Sequence, residues 1–202
     1  MRMKAVERLV GIGSAPLGRE LNSEVVADDS LLPLYRAKNG FFAFESALLI
    51  RPWGGGPGSI EWWNDELGWR SAYAALSRHA ICFAEDAFGF QFTLDGSGFF
   101  SFDPETAELE YLGKNVEDWA AAILDNADTL TGFPLAHQWQ IVNGELPPGC
   151  RLASAVPFVL GGEYSVEALR AKPDIELASF RAYVYTQIKD LPDGANVNIR
   201  FE

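Results

Sequence analysis

Glu85 and Asp86 are the residues of this chain whose type and spacing come nearest to acid–base chemistry. The two carboxylates stand side by side at the end of the apolar run Ile81-Cys82-Phe83-Ala84. Paired carboxylates do such work when they share a proton or face a common bond. Neighbours on a strand send their side chains to opposite faces, so this pair is expected to diverge. Asp86 has a second reading, as the side chain that accepts backbone N–H groups in the turn before Gly89. A hydrolytic or small-molecule-binding enzyme built on Glu85 and Asp86 is one of three functional readings.

Other chemistry is sparse. The chain has 2 histidines and 2 cysteines. His79 and Cys82 are three apart and would face opposite sides of a strand, which argues against a Cys–His pair. His137, beside Trp139 on a helical face, reads as structural. Cys82 lies in an apolar run and reads as a buried, inert thiol; with Cys150 it makes neither a disulfide framework nor a metal cluster. There is no HExxH, no GxSxG and no phosphate-loop lysine. Gly11-Ile12-Gly13 starts like a dinucleotide fingerprint, but Pro16 intervenes and the next glycine is Gly18. Nothing in the sequence calls for a metal or a cofactor.

The aromatic segment after Arg51 offers binding instead of catalysis. Trp53 opens a glycine-rich loop, and Trp62, Trp63, Trp69 and Tyr73 follow at spacings that suit short helices. Trp53, Trp62 and Trp63 as aromatic anchors, with Asp65, Glu66 and Glu85 as acidic contacts, would suit a protein-binding surface. The competing reading is that the tryptophans fill a core beneath the loop. Twenty-eight acidic against sixteen basic residues give a net charge of −12, which repels nucleic-acid phosphate and anionic lipid and attracts basic partners. No stretch approaches the roughly 20 apolar residues of a membrane span, and the first ten residues lack a secretory apolar run. The expected setting is the cytoplasm.

The elements that must position these residues are set by periodicity. From Ala80 the period is two: Ile81 and Phe83 alternate with Cys82 and Ala84, then Phe88, Phe90, Phe92 and Leu94 with Gly89, Gln91 and Thr93. Asp95-Gly96-Ser97-Gly98 and Asp103-Pro104-Glu105-Thr106 are turns, and Leu109 and Tyr111 alternate after them. This predicts an antiparallel meander. Asn115 then opens a helix with Glu117 and Asp118 in its first turn and Val116, Trp119, Ala120, Ile123, Leu124 and Ala127 as its apolar stripe.

Upstream, Ser30 is expected to cap a short helix through Leu31, Leu34 and Tyr35, stopped by Asn39-Gly40. The run Phe41 to Arg51 gives a buried strand around Ala47 to Ile50, with a helical Phe44 to Leu49 as the alternative. Downstream, a helix over Leu135, Trp139 and Val142 ends at Asn143-Gly144. A loop with Pro147, Pro148 and Pro157 follows. A long strand is expected next, with Phe180, Ala182, Val184, Thr186 and Ile188 on one face and Tyr183, Tyr185 and Gln187 on the other. Leu191-Pro192-Asp193-Gly194 would turn it into Val197, Ile199 and Phe201. The expected fold is α+β: a mixed or mostly antiparallel sheet with a central meander, helices packed on it and a C-terminal hairpin extension. Its parts would be an irregular segment 1–29, a core 30–128, and a helix-and-hairpin elaboration 129–202 of the same domain.

Several of these residues together resemble the SUKH superfamily, which includes the fungal Smi/Knr cell-wall-assembly regulators and many bacterial relatives. They are Leu32-Pro33-Leu34-Tyr35 leading to Asn39-Gly40, then Trp69 and Tyr73. Phe83-Ala84-Glu85-Asp86 to Gly89-Phe90-Gln91-Phe92, Phe102-Asp103, and the helix from Asn115 with Trp119 complete the set. The resemblance covers roughly residues 30 to 128 and implies an α+β fold with flanking helices. It implies a protein-binding function, many bacterial members being similar to immunity proteins that neutralise toxin domains. It brings no catalytic residues. Asn39, Gly40, Asp86, Gly89 and Trp119 are expected to be structural. The leading reading is a protein-binding module, an immunity protein against a basic toxin domain; the second is a regulator or scaffold of envelope or stress physiology.

Overall fold

Six short runs of apolar residues separated by turn residues pair with their sequence neighbours to form one antiparallel sheet. They are β1 (Phe41–Ala43), β2 (Leu48–Ile50), β3 (Ile81–Asp86), β4 (Gln91–Asp95), β5 (Gly98–Phe102) and β6 (Leu109–Gly113), hydrogen-bonded in that order. The computed structural model describes residues 4–21, 28–76, 79–192 and 194–195. The expected meander is β3 to β6, and its turns are closed by side chains a few residues away. Asp95 accepts from Ser97 N at 2.7 Å, and Asp103 accepts from Glu105 N at 2.7 Å. The fold class is α+β, as the periodicities predict.

Helices cover both faces of the sheet. On one side lie α1 (Ala5–Ile12), α2 (Leu32–Ala37) and α4 (Val116–Asp125). They bury Leu9, Leu34, Tyr35, Trp119 and Ile123 against Phe83, Phe92, Leu94 and Phe99. On the other side α3 (Ile60–Trp63), the 3-10 turn Trp69–Ala72 and α7 (Asp174–Ile188) gather Trp63, Trp69, Tyr73, Cys82, Phe102, Ala178 and Ala182. A third cluster, with Phe88, Trp139, Leu152 and Leu169, joins the sheet to α5 (Ala127–Thr131), α6 (Phe133–Asn143) and a two-stranded hairpin, β7 (Cys150–Ser154) with β8 (Leu169–Pro173).

The helix at Asn115 forms for the expected local reason: Asn115 Oδ1 accepts from Glu117 N and Asp118 N, both at 3.0 Å. Asp118 returns a carboxylate oxygen to Lys114 N at 3.0 Å. Trp119 on that helix is fully buried and meets Phe83 edge-on, with ring centroids 4.9 Å apart. Gly40, after α2, has φ +67°, and a Cβ there would lie 2.6 Å from the Pro52 backbone. Its glycine is required by both conformation and space.

Five expectations are corrected. The strand expected over Phe180 to Ile188 is the second half of α7. Its buried residues Leu177, Ala178, Arg181 and Ala182 recur at helical spacing, and the alternation of β-forming residues there is incidental. The extension's hairpin is β7–β8; Asp193 and Val197 to Phe201 lie outside the described residues. Segment 1–29 is not all irregular, because Ala5–Ile12 is a helix that buries Val6 and Leu9 in the first core. Its apolar stripe is too short to stand out from Glu7 and Arg8. Asp28, not Ser30, caps the turn that leads into α2, accepting from Ser30 N at 2.7 Å. Finally, β4 begins at Gln91, since Phe88 to Phe90 are drawn into a turn by Asp86.

Trp119→Ala removes the ring that both Phe83 and Phe92 pack against, and is expected to cost about 3–5 kcal/mol of unfolding free energy. Urea denaturation of the variant checks this.

Candidate functional site

Between β2 and β3 the chain builds an acidic, apolar-tipped projection on a fixed base. The loop Trp53 to Gly58 is tied at both ends. Asn39 Oδ1 accepts from Trp53 N at 2.7 Å while its amide donates to Trp53 O at 2.8 Å. Glu61 accepts from Gly54 N and Gly55 N at 3.0 and 3.1 Å. Ser59 caps α3 through Trp62 N. Beyond α3 the chain turns at Asp65, whose carboxylate accepts from Leu67 N at 2.8 Å. Leu67 is 92% exposed and Trp62 40%, with Glu61, Asp65 and Glu66 exposed around them. The base beneath is buried: Trp63 packs at a tilt against Trp69, and Arg70 donates to Asn64 Oδ1 at 3.0 Å and to Ala80 O at 2.8 Å.

The sequence-predicted binding residues therefore divide. Trp62, Asp65 and Glu66 share this projection, and Trp53 is half-buried at its root. Trp63 and Glu85 are corrected: both are 1% exposed and belong to the interior. Trp63 donates its indole N–H to Gln91 Oε1 at 2.8 Å, the partner a buried indole needs. Leu67, the most exposed large apolar side chain described, carries no sequence signal that separates it from any other loop leucine.

Glu85 is the centre of a buried ion network. Its Oε1 lies 2.9 Å from Arg51 Nη2 and 2.6 Å from Arg151 Nε, and its Oε2 accepts from Gln91 Nε2 at 3.0 Å. Arg51 stacks over the Trp63 ring at 3.3 Å from the centroid and also reaches Asp174 Oδ2 at 3.0 Å. Arg181 on α7 binds Glu105 at 2.9 Å and donates to Phe88 O. Burial pushes the Glu85 pKa up, but the two guanidiniums and Gln91 outweigh it, and the net shift is downward. Glu85 is thus held ionised. Arg51, Arg151 and Arg181 were not singled out from the sequence; their one signal was a charge inside or beside an apolar run.

Asp86 diverges from Glu85 as strand geometry requires. Its Oδ1 accepts from Phe88 N and Phe90 N, both at 2.8 Å, closing the turn in which Gly89 sits at φ +82°. This is the structural role expected for both residues. Burial outweighs these two hydrogen bonds and raises Asp86 from its ordinary 3.8 to about 7. Among the remaining candidates, Cys82 is buried and its thiol is pushed up to about 11 by burial, as an inert thiol would be. His79 precedes β3 in an exposed turn and is not on the strand. His137 Nδ1 lies 2.7 Å from Glu45 Oε2 at the surface, where Phe44, Glu45 and Ser46 make a left-handed turn with φ between 51° and 71°.

Among the described residues no cluster of three or more His, Cys, Asp or Glu could hold a metal ion, and no helix is long and apolar enough to cross a membrane. No protein-family model matches the chain, and no curated protein matches it. A solved structure, that of Atu4351 from Agrobacterium tumefaciens, is similar with a TM-score of 0.59 over 86% of each chain at 12% identity. At that identity the likeness is one of fold.

Two substitutions separate the neighbouring carboxylates. Glu85→Gln leaves two buried guanidiniums facing a neutral amide and is expected to cost about 3–5 kcal/mol at neutral pH. Glu85 contributes stability above its unfolded pKa that is lost as pH falls through its lower folded value, so the deficit shrinks in acid. Asp86→Asn keeps an oxygen for the two N–H groups and has the opposite signature. The wild-type group contributes stability that is full below about 4 and lost as pH rises through about 7. Melting curves from pH 4 to 8 should show wild type losing on the order of 2–4 kcal/mol relative to Asp86→Asn.

Proposed function

We propose that this chain is a protein-binding module of the SUKH type that captures a basic protein, as an immunity protein captures a toxin domain. The observation that carries the reading is the projection Glu61 to Leu67. An almost fully exposed leucine and a half-exposed tryptophan stand among three exposed carboxylates on a base of buried, hydrogen-bonded side chains. A preorganised apolar anchor with a charged rim is the form that binding hot spots take. Its acidic rim and the net charge of −12 select a basic partner and speed its approach.

The residues that carry the resemblance support the family reading by where they lie. The Tyr35 hydroxyl donates to Arg51 O at 2.8 Å, Asn39 braces Trp53, Asp86 closes the turn at Gly89, and Trp119 fills the first core. They hold the frame and leave the projection free to differ with the partner.

A photo-crosslinking residue in place of Leu67 is expected to form an adduct with a basic protein, in amounts that fall as salt is raised. Trp62→Ala combined with Leu67→Ser should weaken capture of that protein at least tenfold, about 1.4 kcal/mol, without lowering the melting temperature. Unchanged capture would remove the projection from the binding site. A toxin gene beside this one supports immunity; a protein partner encoded elsewhere supports the regulatory reading.

A further inference from the structure

Among the described residues Asp86 is the buried carboxylate that forms no ion pair. Three guanidiniums (Arg51, Arg151 and Arg181) are paired with three carboxylates (Glu85, Glu105 and Asp174) at 2.6–3.0 Å. Asp86 is 6% exposed and is paired with none of them. Its Oδ1 takes the two turn N–H groups of Phe88 and Phe90. A buried carboxylate normally has a cation or a full set of donors.

Asp86 lines a cleft of about 370 Å³ whose other walls include Phe88, Phe90, Leu135 and Tyr164, with exposed Asp128 at the rim. Two of its aromatic rings form a corner: Phe88 and Tyr164 meet at 81° with centroids 5.2 Å apart. Tyr164 is held in that plane by Phe158, stacked 3.7 Å away at 5°. A carboxylate behind an aromatic corner, with a second carboxylate at the entrance, is the arrangement that binds organic ammonium ions. The size admits a small organic cation.

We infer that the Asp86 cleft is a binding site for an alkylammonium group, with Asp86 as its counter-ion, Phe88 and Tyr164 as its aromatic walls and Asp128 as its rim charge. The group is either a free small amine or the side chain of a lysine. The inference stands apart from the protein-binding proposal, because the cleft lies between β3, the α5–α6 corner and the β7–β8 loop and uses no residue of the Glu61 to Leu67 projection. The groups facing Asp86 are Arg181 from α7, Arg151 from β7, Tyr164 from the β7–β8 loop and Asp128 from α5. Both arginines are already neutralised by Glu105 and Glu85. An ammonium ion competes with a proton for Asp86, so binding should strengthen as pH rises from 6 to 8.

The test is an NMR titration of the full chain with n-butylammonium, with the neutral isostere 1-butanol, and with a lysine blocked at its amino and carboxyl ends. Butylammonium is expected to shift the Phe88, Phe90 and Tyr164 ring resonances saturably, and butanol at least tenfold more weakly. Asp86→Asn should abolish the difference between the two. Asp128→Asn, an exposed change that leaves the core intact, should weaken butylammonium two- to fivefold. Blocked lysine binding tighter than butylammonium identifies a peptide lysine as the source; weaker binding identifies a free amine. Equal affinity for butanol and butylammonium, or ammonium binding unchanged in both variants, would overturn the site.

Discussion

A carboxylate held between two arginines inside a protein joins whatever elements carry the three side chains, since none can leave without exposing an unpaired charge to an apolar interior. Glu85 does this here. It lies on the central strand β3, Arg51 follows β2, and Arg151 belongs to the hairpin that begins far downstream. Arg51 extends the link to Asp174 at the start of α7, and Arg181 carries α7 on to Glu105 at the turn after β5. Sheet, hairpin and last helix are therefore one electrostatic unit. The guanidinium of Arg51 lies on Trp63, which couples the same network to the base of the acidic projection.

That unit explains why two adjacent carboxylates behave oppositely. Strand geometry sends Glu85 to the side where the arginines converge and turns Asp86 toward the α5–α6 corner. Both are buried, so both bear the same kind of desolvation cost. Glu85 has its cost offset by two cations and an amide, whereas Asp86 has two backbone N–H groups and no cation of its own. The pair is not a catalytic dyad in geometry. One member is a structural counter-ion, and the other borders a cleft.

The surface follows from the interior. Because Trp63, Trp69 and Arg70 are fixed beneath it, the segment Glu61 to Leu67 can show Leu67 and Trp62 to solvent without collapsing onto the core. The buried residues fix the backbone beneath the exposed pair. Glu61, Asp65 and Glu66 lie exposed around the apolar tip.

By itself the sequence determined what depends on near neighbours. The meander, the turns at Asp95 and Asp103, the cap at Asn115, the stop at Asn39-Gly40 and the role of Asp86 all rest on partners within a few residues, so periodicity and residue type reveal them. Only the tertiary structure decided the rest. Tyr183 and Val184 read as strand formers locally, yet they lie in α7 because Leu177, Ala178, Arg181 and Ala182 have a face to bury. Glu85 looked like a surface or catalytic acid because its partner Arg151 is 66 positions away. Trp62 and Trp63 are adjacent and alike in type, and packing alone puts one outside and the other beneath Arg51. Contacts between distant residues form only when the chain closes on itself, and no local pattern records which charges and rings will then meet.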